Sequence, residues 1–114
     1  MGRAPVLLLH HVGRRSGTVR VSPVLFLADR ERLVIVGSKG GASKHPAWFR
    51  NLLAHPDTAV EVARHLIAVR ARLASDSERA GYWPRLVEIY PSYVIYQDRT
   101  DRLLPIVVLE QLGQ

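Results

Sequence analysis

The sequence of 114 residues contains no cysteine, and only two of its 16 basic residues are lysines. Without a thiol, the chain can form no disulfide, no thiolate metal site and no cysteine nucleophile. No apolar run approaches the roughly 18 residues that a membrane-spanning helix needs, and Val6–Leu9 is too short for the core of a signal peptide. We therefore expect a cytoplasmic protein without a transmembrane segment, for which peripheral contact with a membrane stays open.

Acidic residues are also scarce, since 10 Asp and Glu face 16 Lys and Arg, and the net charge is +6. A basic chain favours polyanionic partners: nucleic acid, an anionic membrane surface or a small molecule with several acidic groups. The apolar content of 47% is typical of a folded rather than a disordered chain. The length predicts one domain over residues 1–114.

The pattern of apolar runs predicts a small, mainly β barrel with about six mostly antiparallel strands and two or three short helices. Pro23, inside the second run, indicates an edge strand or a bulge. Ser75 can cap a helix that continues towards Tyr90, and Pro84 predicts a break within it. A shorter helix is expected from Pro46 to Ala54. The predicted strands are Val6–Val12, Val19–Ala28, Leu33–Gly37, Thr58–Ala63, Leu66–Leu73 and Ile106–Leu109.

Two glycine-containing loops, residues 13–20 and 38–48, carry clusters of cations. Glycine lets the backbone approach a bound group closely, and exposed N–H groups beside Arg and Lys suit a phosphate or carboxylate. The second loop lacks the spacing of a phosphate-binding P-loop. The pattern predicts anion binding, although a solvated Gly- and Ser-rich turn would look the same. The cations are Arg14, Arg15, Arg20, Lys39 and Lys44.

Tyrosines recur at every third position from Tyr90 through Tyr93 to Tyr96. In a helix, successive side chains at this spacing step back by about 60°, so all three would share one face. That face could line an apolar pocket with polar tips or form a core stripe with its hydroxyls at the water. Trp48, judged by packing alone, is a core anchor. The five histidines fall in no tight ligand spacing, so no metal site is predicted.

Nine short motifs follow one another between about residues 6 and 110. They are Gly13-Arg14-Arg15-Ser16-Gly17, Arg20-Val21-Ser22-Pro23, Ser38-Lys39-Gly40-Gly41-Ala42, Lys44-His45-Pro46-Ala47-Trp48, Tyr82-Trp83-Pro84, Tyr90-Pro91-Ser92-Tyr93, Tyr96-Gln97, Thr100-Asp101-Arg102 and Pro105-Ile106-Val107-Val108. In this order they resemble the deazaflavin-dependent nitroreductase family of actinobacteria. The resemblance implies a split β-barrel like that of flavin-mononucleotide-binding oxidoreductases. It also implies coenzyme F-420, a deazaflavin with a phosphate and an acidic oligoglutamate tail.

The resemblance further implies which positions contact the cofactor and the substrate. Family positions at the cofactor match Arg14, Arg15, Arg20, Ser22, Pro23, Ser38, Lys39, Gly40, Gly41, Lys44 and Trp48. Positions that face the substrate match Leu25, Tyr90, Tyr93 and Tyr96. The chain departs from the family at His10-His11-Val12, where Thr-Thr-Thr is usual, and at Leu25, where an aromatic residue is common.

The implied reaction is hydride transfer from reduced coenzyme F-420 to a small-molecule acceptor, which is a quinone, a nitroaromatic or an activated enone. We expect Tyr93 to donate a hydrogen bond that orients the acceptor, and Ser38 to make a similar polarising contact. Split barrels of this kind often pair through the sheet, so a homodimer is compatible with the sequence.

Three alternatives remain open at the level of sequence. They are a flavin mononucleotide (FMN) enzyme of the same fold, a non-catalytic cofactor carrier and a small barrel that binds single-stranded nucleic acid. The tyrosines cluster in a predicted helix rather than on a sheet face, so nucleic acid is not the expected partner.

Overall fold

A computed structural model describes residues 5–113, and within that range one seven-stranded sheet is flanked by three helices. The strands are β1 (Val6–Val12), β2 (Val19–Leu25), β3 (Leu27–Asp29), β4 (Arg32–Val36), β5 (Asp57–Val62), β6 (His65–Leu73) and β7 (Ile106–Gln111). The helices are α1 (Ala47–Ala54), α2 (Asp76–Ile89) and α3 (Ser92–Asp98), and Lys39–Gly41 forms a single 3-10 turn. All paired strands are antiparallel.

The sheet is curled because its two outer strands are almost continuous in sequence. The strand order is β2-β1-β5-β6-β7-β4-β3, so β2 and β3 lie at opposite ends, and Phe26 alone separates them in the chain. A sheet whose outer strands are joined by one residue has to bend until its edges meet. The buried Phe26 marks the corner, where its N–H donates to the carbonyl of Pro5 at 3.0 Å. The predicted split β-barrel is confirmed.

That corner also corrects the predicted strand count. The sequence analysis expects one strand over residues 19–28, whereas the chain leaves β2 at Leu25 and begins β3 at Leu27. Strand patterning cannot reveal this, because apolar residues continue on both sides of the corner. The edge position predicted from Pro23 is confirmed, since β2 is an outer strand.

The core has two parts that share β4 and β7. Alternate residues of β4 face opposite sides, so Leu33 and Ile35 pack into the cluster that includes α1, while Val34 and Val36 pack against α2 and α3. Both strands are therefore buried on both faces, which explains their nearly continuous apolar runs.

Helix α2 begins as predicted but does not break at Pro84. A capping box forms at its start: Ser75 Oγ accepts from the Glu78 N–H at 3.2 Å, and Glu78 Oε1 accepts from the Ser75 N–H at 2.8 Å. Pro84 removes one N–H, which would otherwise bond to the carbonyl of Ala80. Both residues lie on the exposed face, where water can satisfy that carbonyl. The predicted break is wrong, and the helix continues to Ile89.

Within residues 5–113, no helix has both the length and the apolar character that crossing a bilayer would require.

Candidate active site

The turn between β1 and β2 presents a group of arginines to solvent. The Gly13 N–H donates to Thr18 O and the Gly17 N–H to Gly13 O, both at 2.9 Å, which closes the turn. Gly17 has a φ of 72°, a conformation that favours glycine. We call residues 13–20 the cationic turn. It borders an open cleft of about 300 Å³, the arginine cleft, which is lined by Gly13, Arg14, Arg15, Ser16, Arg20, Ala47 and Asn51.

The arginines of this cleft have no acidic partner in the part of the chain that the structure describes. None of Arg14, Arg15 and Arg20 forms an ion pair with a carboxylate there, whereas four other arginines do. Those four are Arg32, Arg70, Arg72 and Arg85. In the sequence, Asp29 and Glu31 are the only acidic residues before Asp57. The cleft therefore keeps its positive charge for a ligand.

A series of hydrogen-bonded polar side chains supports the cationic turn on its buried side. The side chains of His11 and Asn51 are 3% and 4% exposed. Asn51 Oδ1 accepts from the Arg14 backbone N–H at 3.0 Å, so its Nδ2 faces His11 Nδ1 at 2.9 Å. His11 Nε2 lies 2.9 Å from Ser22 Oγ. The helix α1, which carries Asn51, is thus tied to the start of the turn.

These contacts fix the tautomer of His11. Because Asn51 Nδ2 can only donate, His11 Nδ1 is the acceptor, and the proton of the neutral ring is on Nε2 and points to Ser22 Oγ. Burial, followed by the charges of Arg20 and His10, lowers the pKa of His11 and favours this neutral form. A serine–histidine–asparagine arrangement is reminiscent of a hydrolase triad, but here Nε2 donates to the serine and cannot act as its base. Ser22 instead retains its own proton for donation.

The second cationic loop, residues 37–45, is held close to α3. Gly41 has a φ of 81°, and a Cβ at this position would lie 2.6 Å from the carbonyl oxygen of Tyr96. The Arg102 side chain donates to the carbonyls of Gly37, Ser38 and Ala42 at 2.7–2.9 Å. We call residues 37–45 the Ser38 loop.

The Ser38 loop and the tyrosines form the two walls of a second cleft, of about 380 Å³, which we call the tyrosine cleft. Strand β2 and the start of α1 complete it. Its lining residues are Pro23, Val24, Leu25, Val36, Ser38, Lys39, Gly40, Pro46, Trp48, Tyr90, Tyr93 and Tyr96.

The three tyrosines meet here, although not as a single helical stripe. Tyr90 is the C-cap residue of α2, whereas Tyr93 and Tyr96 belong to α3, so the predicted shared helix face is wrong. Their ring centroids are nevertheless 5.1–6.5 Å apart, and the hydroxyls of Tyr90 and Tyr96 lie 3.0 Å from each other. Pro91 turns the chain between the helices and lets Tyr90 fold back onto α3. Tyr82 lies elsewhere, in the core, and donates to Asp29 at 2.7 Å.

Tyr93 has the most perturbed phenol of the cleft. Its side chain is 3% exposed, and burial, followed by the neighbouring Tyr90 and Tyr96, raises its pKa to about 12. The phenol therefore keeps its proton at neutral pH. Among residues 5–113 the structure gives its hydroxyl no hydrogen-bond partner, in contrast to the paired hydroxyls of Tyr90 and Tyr96. Tyr93 is consequently a protonated donor at the wall of the cleft.

The two clefts both border β2. Arg20, Ser22 and Val24 stand opposite the buried β1 residues His11, Leu9 and Leu7, and they alternate along the strand. Arg20 lines the arginine cleft and Val24 the tyrosine cleft, with Ser22 between them. Residues four apart on a strand are about 13 Å apart. In α1, Ala47 faces the first cleft and Trp48 the second.

Most residues singled out in the sequence come together in these clefts. Ser22, Lys44 and Gly41 line neither: Ser22 lies near His11, Lys44 is exposed, and Gly41 is buried against Tyr96. Sequence reasoning missed the supporting roles of His11, Asn51 and Arg102. For Arg102, the one available signal is its place in the motif Thr100-Asp101-Arg102.

The donor set fits a ligand that has an anionic end and a flat, largely apolar end. The arginine cleft is lined by three arginines and no acidic residue, which suits a phosphate or an acidic tail. The tyrosine cleft offers apolar walls with a few hydroxyls, which suits a ring system. Within residues 5–113, no three His, Cys, Asp or Glu side chains are grouped so that they could hold a metal ion.

Comparison with known proteins points to one family. The family model described as F420H(2)-dependent quinone reductase matches residues 1–111. A Mycobacterium tuberculosis (strain H37Rv) protein, named provisionally as the F420H(2)-dependent quinone reductase Rv3178, is 40% identical over 105 residues. That match covers 92% of this chain and 88% of the relative.

Two solved structures share both sequence and fold with the chain. The structure of an F420-H2 dependent reductase (FDR-A) is 34% identical with a TM-score of 0.85, and the match covers 96% of this chain and 97% of that one. A structure described as a domain-swapped dimer is also 34% identical, with a TM-score of 0.86 and coverage of 96% and 82%.

Proposed function

This chain belongs to the F420H(2)-dependent quinone reductase family, and we propose that it transfers a hydride from reduced coenzyme F-420 to a quinone. One observation carries the proposal: an arginine cleft whose lining holds no acidic residue borders β2 at Arg20, and a tyrosine cleft borders the same strand at residues 23–25. Residues 20 and 24 are about 13 Å apart along a strand. A ligand with a charged tail and a flat ring can occupy both.

The cationic turn is the proposed site for the phosphate and the acidic tail. Arg14, Arg15 and Arg20 can form charge-assisted hydrogen bonds to these groups. Ser22, with its proton free, donates between the two clefts. Three arginines exceed what one phosphate needs, which favours the polyanionic F-420 over FMN as the cofactor. Bound in this way, the cofactor supplies a two-electron hydride.

The ring of the cofactor is proposed to lie in the tyrosine cleft, against the Ser38 loop. Pro23, Ser38, Lys39, Gly40 and Trp48 border this position. Gly41 would act indirectly, since it lets the loop approach Tyr96. Lys44, exposed on the same loop, would add to the positive potential around the cofactor rather than touch the ring.

The tyrosine wall is the proposed acceptor side. Tyr93 holds its proton at neutral pH and donates a hydrogen bond to the acceptor oxygen, where negative charge develops as the hydride arrives. Ser38 gives a second, weaker polarising contact. Tyr90, Tyr96 and Leu25 enclose the acceptor. The same wall would accept nitroaromatics and activated enones, which also place an oxygen beside an apolar body.

We propose that residues 1–114 act as one cytoplasmic cofactor-binding domain. A homodimer is proposed as its assembly state. The solved relative described as a domain-swapped dimer supports it, as does an exposed apolar strip on the outer face of β1 and β2. That strip consists of Val6, Leu8, Val19 and Val21.

Binding and turnover with separate ligands test the proposal. Purified protein is titrated with reduced F-420, with FMN and with a short single-stranded oligonucleotide, and then mixed with reduced F-420 and a soluble quinone. We expect the tightest binding to F-420 and quinone-dependent oxidation of it. Tighter binding of FMN would favour the flavin enzyme. Binding of F-420 without oxidation by quinone, nitroaromatic or enone would favour a cofactor carrier.

A further inference from the structure

One arginine outside the proposed ligand contacts organises the wall of the tyrosine cleft. Arg102 Nε donates to Ala42 O at 2.8 Å, Nη1 to Gly37 O at 2.9 Å and Nη2 to Ser38 O at 2.7 Å. Nη1 also lies 2.9 Å from His45 Nδ1, which must accept because a guanidinium has only donors. A single side chain therefore satisfies four acceptors along the Ser38 loop.

The Arg102 backbone is in turn fixed to α3. Gln97, near the end of that helix, donates from Nε2 to the carbonyl of Arg102 at 2.7 Å and accepts from the Leu104 N–H at 3.0 Å. The Arg102 N–H donates to Thr100 Oγ1 at 3.3 Å. Helix α3 carries Tyr93 and Tyr96, and hydrogen bonds run from Gln97 of this helix through Arg102 to the Ser38 loop on the opposite side of the cleft.

Only an arginine can make this set of contacts. Its planar fork spans acceptors that lie in different directions, whereas the ammonium of a lysine is a point charge with three donors. Removing the side chain would leave the carbonyls of Gly37 and Ala42 without this donor and the Ser38 carbonyl with only the Gly41 N–H.

We propose that Arg102 is a positioning residue that sets the separation between the Ser38 loop and the tyrosine wall, and thereby the approach of the acceptor to the cofactor ring. The effect on the approach of the acceptor rests on the proposed function, whereas the role of Arg102 in holding the Ser38 loop does not. Arg102 lines neither cleft, so it acts through the loop and not on the ligand.

If Arg102 has this positioning role, its substitution should lower kcat much more than it weakens cofactor binding. Cofactor affinity depends mainly on the cationic turn, which Arg102 does not touch, whereas hydride transfer depends on a separation that is sensitive to shifts of about 1 Å. In Arg102→Lys we expect kcat with a soluble quinone to fall about 10- to 100-fold and the Kd of reduced F-420 to change less than about threefold. Unchanged turnover, or an equal loss in affinity and turnover, would overturn the proposal.

Chemical rescue distinguishes bracing from general destabilisation. In Arg102→Ala, added guanidinium at millimolar concentration should restore part of the lost kcat, while sodium chloride at equal ionic strength should not. Arg70→Ala is the matched control, because Arg70 is exposed, pairs with Asp57 between β6 and β5, and lines neither cleft. It should keep wild-type turnover and show no response to guanidinium. If guanidinium did not restore kcat in Arg102→Ala, the positioning role of Arg102 would be contradicted. If the alanine variant does not fold, the Arg102→Lys measurements test the role instead.

A measurement without cofactor separates this inference from the proposed function. Amide hydrogen exchange of the free protein should be faster in Arg102→Lys over residues 37–45 and unchanged over residues 13–20. If wild-type protein proved unable to oxidise reduced F-420, the proposed function would fall while this exchange result could still stand. Unaltered exchange in the Ser38 loop would refute the brace whatever the enzyme's activity.

Discussion

The cationic turn and the tyrosine cleft border the same strand, β2, but differ in how their side chains are held. In the turn, Arg14, Arg15 and Arg20 are exposed and only the backbone beneath them is fixed, through Asn51. In the cleft, the tyrosine rings pack on one another, and the opposite wall is braced by Arg102. One region offers charge on exposed side chains, and the other offers donors in a set geometry.

This difference assigns different tasks to the two regions. Exposed cations attract an anion over a distance and tolerate variation in where it sits, so their contribution is one of affinity and responds to salt. Packed phenols cannot move to follow a ligand, so their contribution depends on orientation and is expressed in the rate. Substitutions in the turn should therefore change Kd, and substitutions in the cleft should change kcat.

The largest effect is expected at Tyr93. Tyr93→Phe removes a hydroxyl of the tyrosine wall that has no hydrogen-bond partner within residues 5–113. Loss of an oriented donor to a developing oxyanion typically costs about 10²–10³ in rate. Steady-state turnover with quinone and nitroaromatic acceptors should fall by about that factor, with the Kd of reduced F-420 nearly unchanged. Tyr82→Phe loses a hydroxyl bonded to Asp29 in the core and should keep its kcat. Equal rates in wild type and Tyr93→Phe would make Tyr93 a packing residue.

The second effect is on affinity. Arg15→Ala or Arg20→Ala should raise the Kd of F-420 about 5- to 150-fold, the range for one charge-assisted hydrogen bond, with kcat at saturation preserved. The loss should shrink as salt is added. Arg64→Ala, an exposed arginine in the β5–β6 turn, provides the control. A Kd that stayed constant in both turn variants at low and high salt would remove the anion site from the cationic turn.

A smaller, pH-dependent effect should come from His11. Its pKa is lowered, so the contribution of the neutral ring is complete above the unfolded value of about 6.5 and is lost as the pH falls below it. Protonation would turn His11 Nδ1 into a donor facing the Asn51 amide and loosen the start of the cationic turn. We expect F-420 affinity to weaken up to about tenfold from pH 7 to pH 5.

His11→Gln tests this assignment, because glutamine offers one acceptor and one donor but does not titrate. The ratio of the Kd values of variant and wild type cancels the titration of the cofactor itself. This ratio of variant to wild-type Kd should fall as the pH falls, because only the wild type carries a histidine that becomes protonated at this position. A ratio independent of pH would locate the acid sensitivity elsewhere, for example at His45, whose pKa is also lowered by burial and by Arg102.

The smallest effect is expected at Leu25, which lines the cleft on the β2 side. Leu25→Phe adds volume beside the acceptor and should raise KM several-fold for bulky quinones while leaving that for small quinones unchanged. The value of kcat/KM for a large quinone divided by that for a small quinone measures this selectivity. If KM changed equally for large and small quinones, Leu25 would affect binding of the cofactor rather than selection of the acceptor by its size.

Local sequence signals predicted most of the fold. Alternating β-branched runs located six strands, the Ser75 capping box located the start of α2, and the ordered motifs identified the family, the split barrel and a deazaflavin-dependent reductase, all of which are confirmed. The corner at Phe26 was missed because apolar residues continue through it. The break at Pro84 was wrong because the exposed helix face tolerates the lost hydrogen bond.

The supporting residues of the site could not be predicted, because their partners are far away in sequence. Asn51 meets Arg14 across 37 positions, and Arg102 meets Ser38 across 64. Periodicity reports only near neighbours, so these pairs become visible only once the sheet has closed. The individual cofactor and substrate contacts remain predictions, which the variants above are designed to test.

The position of β7 in the sheet has a consequence for how the protein is made. It is the last strand to be translated of those described, yet it lies between β6 and β4. Until it emerges from the ribosome, the sheet consists of two pieces, β2-β1-β5-β6 and β4-β3. The cationic turn belongs to the first piece and the Ser38 loop to the second. Long-range strand pairing of this kind is slow, so a nascent chain contains both halves of the proposed site before β7 can join them.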